Sequence, residues 1–337
     1  MKKILIVGGG GYIGCVLIDY LLNKNCKVIC LDNFIYNHNY SIKKFRNNKN
    51  FKLIKKNLNK KTYSMFPKDL NSVIVLAGLV GDPITKKFKK EAFKINELEI
   101  KNFIKFFRFK KIRLIFVSTC SNYGVQKSLA DEKSKLRPKS IYAKQKIKIE
   151  KFIMSHKRKS IYNPVILRFA TAFGISKRLR FDLTLNEFTL HAFLKKEIEI
   201  YDHKTWRPYC HVKDFAKIIY KCIGIELKKI NFQIFNVGSN KNNCRKIDLA
   251  RKIKTYFPQF KFLITSKSKD MRDYRVSFSK IRKKLKIKKF YSIDYGIREI
   301  KSFLKSKGVK NSIKFSKYGN YKIKNSLWKI LIYIHPN

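Results

Sequence analysis

Acidic residues are scarce: 22 Asp and Glu stand against 78 Lys and Arg, a formal net charge of +56 over 337 residues. Such an excess usually points to nucleic acid or a membrane surface. Here the basic residues run along the whole chain, mostly as Lys among Asn, Ile, Phe and Tyr, with no basic arm or stripe. Solvated lysines on most surface faces account for the charge better than a nucleic-acid groove, and anionic ligands would still be drawn in. Long apolar runs are missing too: no stretch reaches the roughly 18 residues of a membrane span. The six His show no metal-ligand spacing, so no catalytic metal is expected. The seven Cys are odd in number and form no C-x-x-C pair. Met1-Lys2-Lys3 leads into an apolar run that breaks into glycines without a cleavage-site pattern, so reduced thiols in a cytoplasm are expected. Hydrophobic residues, at 45%, are still enough to build a core, which excludes wholesale disorder.

Glycine numbers only 14, yet four stand together in Gly8-Gly9-Gly10-Gly11-Tyr12-Ile13-Gly14. The stretch follows Lys3-Ile4-Leu5-Ile6-Val7, which reads as a strand, and precedes Cys15 to Leu22, whose apolar spacing is helical. In that context a glycine turn lets backbone N–H groups approach a pyrophosphate at a helix N-terminus. A second strand, Lys27 to Leu31, ends in Asp32-Asn33. An acid about 20 residues past such a turn can bind the adenosine ribose and would repel a 2′-phosphate, favouring NAD over NADP. The competing reading of Asp32 is a plain Asx turn.

Further strands are expected at Phe51–Lys55, Ser72–Leu76 and Ile112–Ser118, with one long helix from about Thr85 to Phe109. Strands alternating with helices predict an α/β fold with a doubly wound parallel sheet. Ala77-Gly78 after the fourth strand would leave room for a ligand at the sheet's edge, and Ser118-Thr119 ends the fifth strand facing the same crevice. A helix opening near Ser140 puts Tyr142 and Lys146 on one face. A phenol with a pKa near ~10 is a poor base at neutral pH, and a neighbouring ammonium would lower it. In a chain this rich in Tyr and Lys, the same pair also arises by chance.

Gly8-x-x-Gly11-x-x-Gly14, Ser118-Thr119 and Tyr142-x-x-x-Lys146 resemble, in order and spacing, the extended short-chain dehydrogenase/reductases. More narrowly the chain is similar to the NAD-dependent epimerase/dehydratase family of nucleotide-sugar enzymes. Leu167 to Gly174 resembles its sixth-strand segment, and Arg207-Pro208-Tyr209-Cys210-His211-Val212-Lys213-Asp214 its R-x-Y-x-H-V-x-D box; Phe235 to Gly238 and Arg272 to Ser277 also fit. The resemblance covers roughly residues 1 to 305 and implies a Rossmann-type sheet, NAD and a nucleoside-diphosphate sugar. It implies NAD contacts from Gly8, Gly11, Tyr12, Ile13, Gly14, Asp32 and Asn33, and from Leu76, Ala77, Gly78 and Asn96. Asn57-Leu58 would lie beside adenine, where the family commonly has Asp. Tyr142 would be the general acid/base, Thr119 its hydroxyl partner on the reacting oxygen, and Lys146 the holder of the nicotinamide ribose that lowers the Tyr142 pKa. Arg207, with Arg272 and Asn186 as weaker matches, would contact the substrate diphosphate; a structural salt bridge is the other reading of Arg207.

The family's 4,6-dehydratases carry Asp-Glu directly after the catalytic Thr, and here those positions are Cys120-Ser121, which argues against expulsion of water. Thr171 replaces an Asn common in 4-epimerases, which argues against UDP-glucose 4-epimerase itself but not against an epimerase of another sugar. The expectation is therefore a nucleotide-sugar epimerase, with a keto-sugar reductase or sugar dehydrogenase as the alternative. Residues 1–170 are expected to bind NAD, 171–305 mainly the substrate, interleaved with the first part, and 306–337 to form a tail. A homodimer is implied by the family. The apolar close of the tail, Leu327 to Ile334, is expected to pack on the domain or a partner subunit.

Overall fold

Alternation within the first strand already sorts the core. In the computed structural model Ile4 and Ile6 of β1 (Lys3–Val7) pack on one face of a sheet, and Leu5 and Val7 on the other. The structure describes residues 1–265, 270, 272–308 and 318–323. The expected apolar end of the tail, Leu327 to Ile334, lies outside them. β2 (Lys27–Leu31), β3 (Phe51–Ile54), β4 (Ser72–Val75), β5 (Arg113–Thr119) and β6 (Asn163–Phe169) follow, nearly all buried except in the edge strand β3, where only Ile54 is. Runs buried on both faces are what a parallel sheet covered by helices requires.

After β6 the chain forms β7 (Thr171–Phe173), β8 (Ile198–Tyr201) and β9 (Trp206–His211), then β10 (Gln233–Val237), β11 (Asn243–Arg245) and β12 (Phe262–Thr265). The main sheet has seven strands in the order β10-β6-β5-β4-β1-β2-β3, all parallel. Its last member thus comes from the second half of the chain. β11-β9-β7 and β12-β8 make two small sheets over a separate core that includes Phe173, Leu185, Tyr209, Leu249 and Ile297. The helices Tyr12–Leu22 and Val212–Gly224 pack on one face of the main sheet, and Ile100–Phe107 and Ile141–Ser155 on the other.

Strand order reverses at β1, which is flanked by β2 and β4. Ligands of such sheets bind outside the carboxyl ends of the strands at this point. Gly8, Asp32 and Leu76 directly follow the three strands concerned.

Two local expectations are corrected. The long helix from Thr85 to Phe109 is broken at Phe88 (φ −119°, ψ 63°) and carries a π-helical stretch, Lys94–Glu99, before Ile100–Phe107. The π stretch holds Asn96, whose side chain binds Leu79 across the turn after β4, so a long-range contact overrides helical periodicity. The segment from Leu167 to Gly174 is two strands in two sheets rather than one. All seven cysteines are buried free thiols. Among the described residues no helix is long and apolar enough to cross a membrane.

Candidate active site

The glycine turn is built by close approach. Gly8 takes φ +84°, a region L side chains avoid, and a Cβ there would stand 2.6 Å from the Ala77 nitrogen. A Cβ at Gly14 would fall 2.4 Å from the Gly9 carbonyl oxygen, which explains the third glycine. At Gly11 a Cβ would meet only the Gly8 carbonyl, at 3.3 Å. The helix Tyr12–Leu22 opens at Gly11 with no side-chain cap and no acid in its first turn. Its N-terminal N–H groups and positive dipole end are thus left for an anion. The tyrosine in the turn ties it to the second half of the chain: the Tyr12 hydroxyl donates to the Gly174 carbonyl at 2.5 Å, and Ser176 donates to the Tyr12 carbonyl at 2.7 Å.

Asp32 is buried and accepts the Gly10 N–H at 2.9 Å and the Phe34 N–H at 2.7 Å. The second bond is the Asx turn. His38 Nε2 stands 3.6 Å from the oxygen that takes the Phe34 N–H, and a carboxylate has about four acceptor sites, so these contacts do not exhaust its capacity. Asn33 donates to Asn57 at 2.8 Å, joining the ends of β2 and β3.

A cavity of about 990 Å³ runs from this turn across the carboxyl ends of the strands. That is the size of a cofactor-binding cleft. Gly8, Gly11, Tyr12, Ile13, Gly14, Asp32, Asn33, Asn57, Leu58, Leu76, Ala77 and Gly78 line it; so do Thr119, Tyr142, Lys146, Arg207 and Arg272. Asn96 and Asn186 do not. Asn96 is buried behind the wall, where it accepts the Leu79 N–H at 2.8 Å and donates to the Leu79 carbonyl at 3.0 Å and to Gln145 at 2.8 Å. Asn186 accepts the Gly174 N–H at 3.0 Å and donates to the Arg180 carbonyl at 2.9 Å. Both asparagines spend their amides on loops rather than on the cavity.

Thr119 ends β5 and caps the following turn, accepting the Ser121 N–H at 3.1 Å while its own proton stays free to donate. Ser140 caps the helix Ile141–Ser155 through the Ala143 N–H at 3.2 Å, which fixes where Tyr142 and Lys146 stand. The Lys146 ammonium donates to the Val117 carbonyl at 2.8 Å and lies 5.8 Å from the Tyr142 ring centre. One turn further, Glu150 pairs with Arg168 of β6 at 2.6 Å and binds the helix to the sheet. Burial pushes the Tyr142 phenol above its ordinary value; Arg180 pulls it down less than burial raises it, and Asp82 adds to the rise. The expected lowering by Lys146 is thus not produced by the protein's own groups. Burial also brings Lys146 down to about 8, with Glu150 opposing, so it remains largely charged at neutral pH.

Cys120 turns away from the cavity. Its thiol donates to the Arg168 carbonyl at 3.2 Å, and burial pushes it up. Ser121 lines the cavity between Tyr274, at 3.3 Å, and Arg272, at 3.4 Å. Arg207 on β9 and Arg272 share Asp270. Arg272 forks onto it with two bonds of 2.7 Å and reaches Asp82 at 3.2 Å; Arg207 lies 2.9 Å from it and donates to the Arg272 carbonyl. Burial opposes the charge on Asp270, yet the two guanidiniums hold its carboxyl well below the usual range.

Arg178, Arg180 and, from the tail, Asn320 and Tyr321 line the wall without belonging to any motif, and Asp182 and Glu187 join them from the stretch Phe181 to Phe188, which reads in sequence as the opening of a helix over the substrate. Arg180 forks onto Asp182 at 2.9 and 2.6 Å. The signal was a dense set of charges, Arg178-x-Arg180-x-Asp182, directly before an apolar helix. Among the described residues no group of three or more His, Cys, Asp or Glu is placed to hold a metal.

The sequence pattern of the NAD dependent epimerase/dehydratase family matches residues 4–238. An uncharacterized protein of Methanocaldococcus jannaschii is 27% identical over 315 residues, 88% of this chain and 94% of that protein. UDP-glucuronic acid decarboxylase 1 of Xenopus tropicalis is 21% identical over 222 residues, 64% of this chain and 52% of its own length. In fold the chain is similar to UDP-glucuronic acid 4-epimerase from Bacillus cereus, solved in complex with UDP-glucuronic acid and NAD. The TM-score is 0.80 at 20% identity over 90% of this chain and 99% of that one. It is also similar to dTDP-glucose 4,6-dehydratase from Bacillus anthracis in complex with NAD, with TM-score 0.76 at 18% identity over 91% and 97% of the two chains.

Proposed function

The chain belongs to the NAD dependent epimerase/dehydratase family, and from that premise we propose that it is an NAD-dependent epimerase of a nucleoside-diphosphate sugar. The observation that carries the reading is one cavity wall with Thr119, Tyr142 and Lys146 on it while Cys120, the position after the threonine, points into the core. Groups to move a hydroxyl proton are present, and the acid expected beside Thr119 for expelling water is absent.

NAD fits the residues present. The uncapped helix end at Gly11 suits its pyrophosphate, and the unfilled acceptor capacity of Asp32 suits its adenosine ribose. Bound there, NAD⁺ supplies a hydride acceptor that becomes the donor, and the positive charge that the Tyr142 phenol lacks. Tyr142 takes the proton of the reacting hydroxyl and returns it, and the Thr119 hydroxyl bridges that oxygen. Lys146 keeps two N–H donors after binding Val117, enough to hold a ribose diol. Arg207 and Arg272 grip the diphosphate, and binding energy from that remote end holds the keto sugar while it turns its other face. In this reading residues 1–170 chiefly hold NAD, residues 171–305 chiefly hold the sugar nucleotide, and the enzyme is a cytoplasmic homodimer.

The test is incubation of the purified protein, without added cofactor, with UDP-, dTDP- and GDP-hexoses. Interconversion of an epimer pair without accumulation of NADH is expected. Stoichiometric formation or consumption of NADH instead would identify a net dehydrogenase or reductase and sink the epimerase reading.

A further inference from the structure

Of the carboxylates on the cavity wall, Asp82, Asp182 and Asp270 pair with arginines, whereas Glu187, like Asp32, Glu91 and Glu99, pairs with none among the described residues. It stands on the helix Thr184–Phe193, partly buried, and among the described residues nothing hydrogen-bonds or ion-pairs with its carboxyl. It shares the cavity wall with Tyr142, Arg180 and Asp182. Arg180 is the charge that acts most strongly on the Tyr142 phenol, and Arg180 is forked by Asp182, the charge that acts on Glu187. Tyr321 closes the same corner and feels Asp182, Glu187 and Arg180. Arg178, the other wall arginine nearby, donates to Asn320 at 2.6 Å and packs over Tyr36 at 4.9 Å. A ligand carboxylate entering this corner would meet Arg180 already neutralised and Glu187 without a partner among the described residues.

We propose that Glu187 is a specificity-determining residue that selects a sugar presenting neutral or cationic hydrogen-bond donors, hydroxyl or amine, and rejects a sugar bearing a carboxylate. The proposal rests on the nucleotide-sugar reading above and narrows it. A partly buried carboxyl with no partner among the described residues is costly, and a donor on the ligand relieves that cost. A ligand carboxylate would add a like charge instead, which is the repulsive element that discrimination uses. Burial, with Asp182 adding, pushes the Glu187 carboxyl up to about 7, so the distinction is sharpest where it is ionised. The fold relatives crystallised with UDP-glucuronic acid make the contrast informative, because the reaction machinery can be shared while the sugar differs.

The experiment measures binding of matched neutral hexoses and hexuronic acids on UDP, dTDP and GDP to the NAD-loaded full chain at pH 8, by titration calorimetry. The wild-type protein should bind the neutral member at least about tenfold more tightly. Glu187→Gln should shrink that ratio to within about threefold, chiefly by strengthening the uronic acid, with NAD binding unchanged. Glu187→Ala should shrink it likewise, and the wild-type ratio stands even if a variant fails to fold. Equal or tighter binding of the uronic acid by the wild type, or a ratio unmoved by Glu187→Gln, overturns the proposal and leaves the epimerase reading intact. No binding of any nucleotide sugar would overturn both.

Discussion

The ammonium of Lys146 donates a 2.8 Å hydrogen bond to the carbonyl of Val117 and stands 5.8 Å from the ring centre of Tyr142, one helical turn before it. The sheet therefore sets the height of the lysine on the cavity wall, and Phe116 supports it 4.7 Å below the ammonium. The phenol it accompanies is partly buried on the cavity wall and sits above its usual pKa, so the protein alone keeps Tyr142 protonated. In the proposed mechanism the activation of Tyr142 is left to a charge that arrives with the cofactor, which would couple proton transfer to NAD binding.

Replacing Tyr142 with Phe should lower turnover by about 10²–10⁴-fold, the usual worth of a positioned acid/base. NAD affinity, measured by fluorescence titration, should change little, because the ring and its packing remain.

Replacing Lys146 with Met should weaken NAD binding by about tenfold or more, the value of a lost charged hydrogen bond, and lower turnover as well. The folded pKa of about 8 lies below the usual 10.5, so the folded protein binds fewer protons than the unfolded chain between those values. Stability from this group therefore rises with pH across that window. Urea denaturation from pH 7.5 to 10.5 should show that rise in the wild type and less of it in the methionine variant.

Asn96→Ala removes three hydrogen bonds from a buried site and leaves Leu79 and Gln145 unsatisfied. A loss of about 1–3 kcal/mol in unfolding free energy is expected. NAD should bind more weakly although Asn96 does not line the cavity, because the Leu76–Gly78 wall loses its brace. Unchanged stability and affinity would show that the brace is redundant.

Glu187 titrates near 7 in the folded protein against an ordinary 4.5. A raised acid contributes stability that is full below pH 4.5 and is lost as pH rises through about 7. Thermal melts of wild type and Glu187→Gln should therefore diverge, with the glutamine variant losing less stability over this interval.

Much of the site was legible because it is local. Gly8 to Gly14, Asp32 and the Tyr142/Lys146 pair sit where single strand ends and one helix turn place them, and period and spacing report such positions. Asn96 and Asn186 carried the right chemistry but were assigned to ligands. Their partners, Leu79, Gln145 and Gly174, are brought in by tertiary packing that spacing does not encode. For Asp182 and Glu187 the stretch from Phe181 to Phe188 reads as the opening of a helix over the substrate, but spacing does not tell which of its side chains face the cavity, and Arg180 just before it carries no motif. The ion-pair chain from Arg207 through Asp270 and Arg272 to Asp82 spans the sequence, so only the fold shows that one carboxylate serves two arginines.

The central claim is that Tyr142 and its neighbours support removal and return of one hydride with no net change in redox state or water content. Running the reaction to equilibrium in deuterium oxide and reading the product by NMR and mass spectrometry tests it most directly. The account predicts an epimer of unchanged mass, with no solvent deuterium at the inverted carbon. Deuterium at that carbon, or a product lighter by one water, would contradict it.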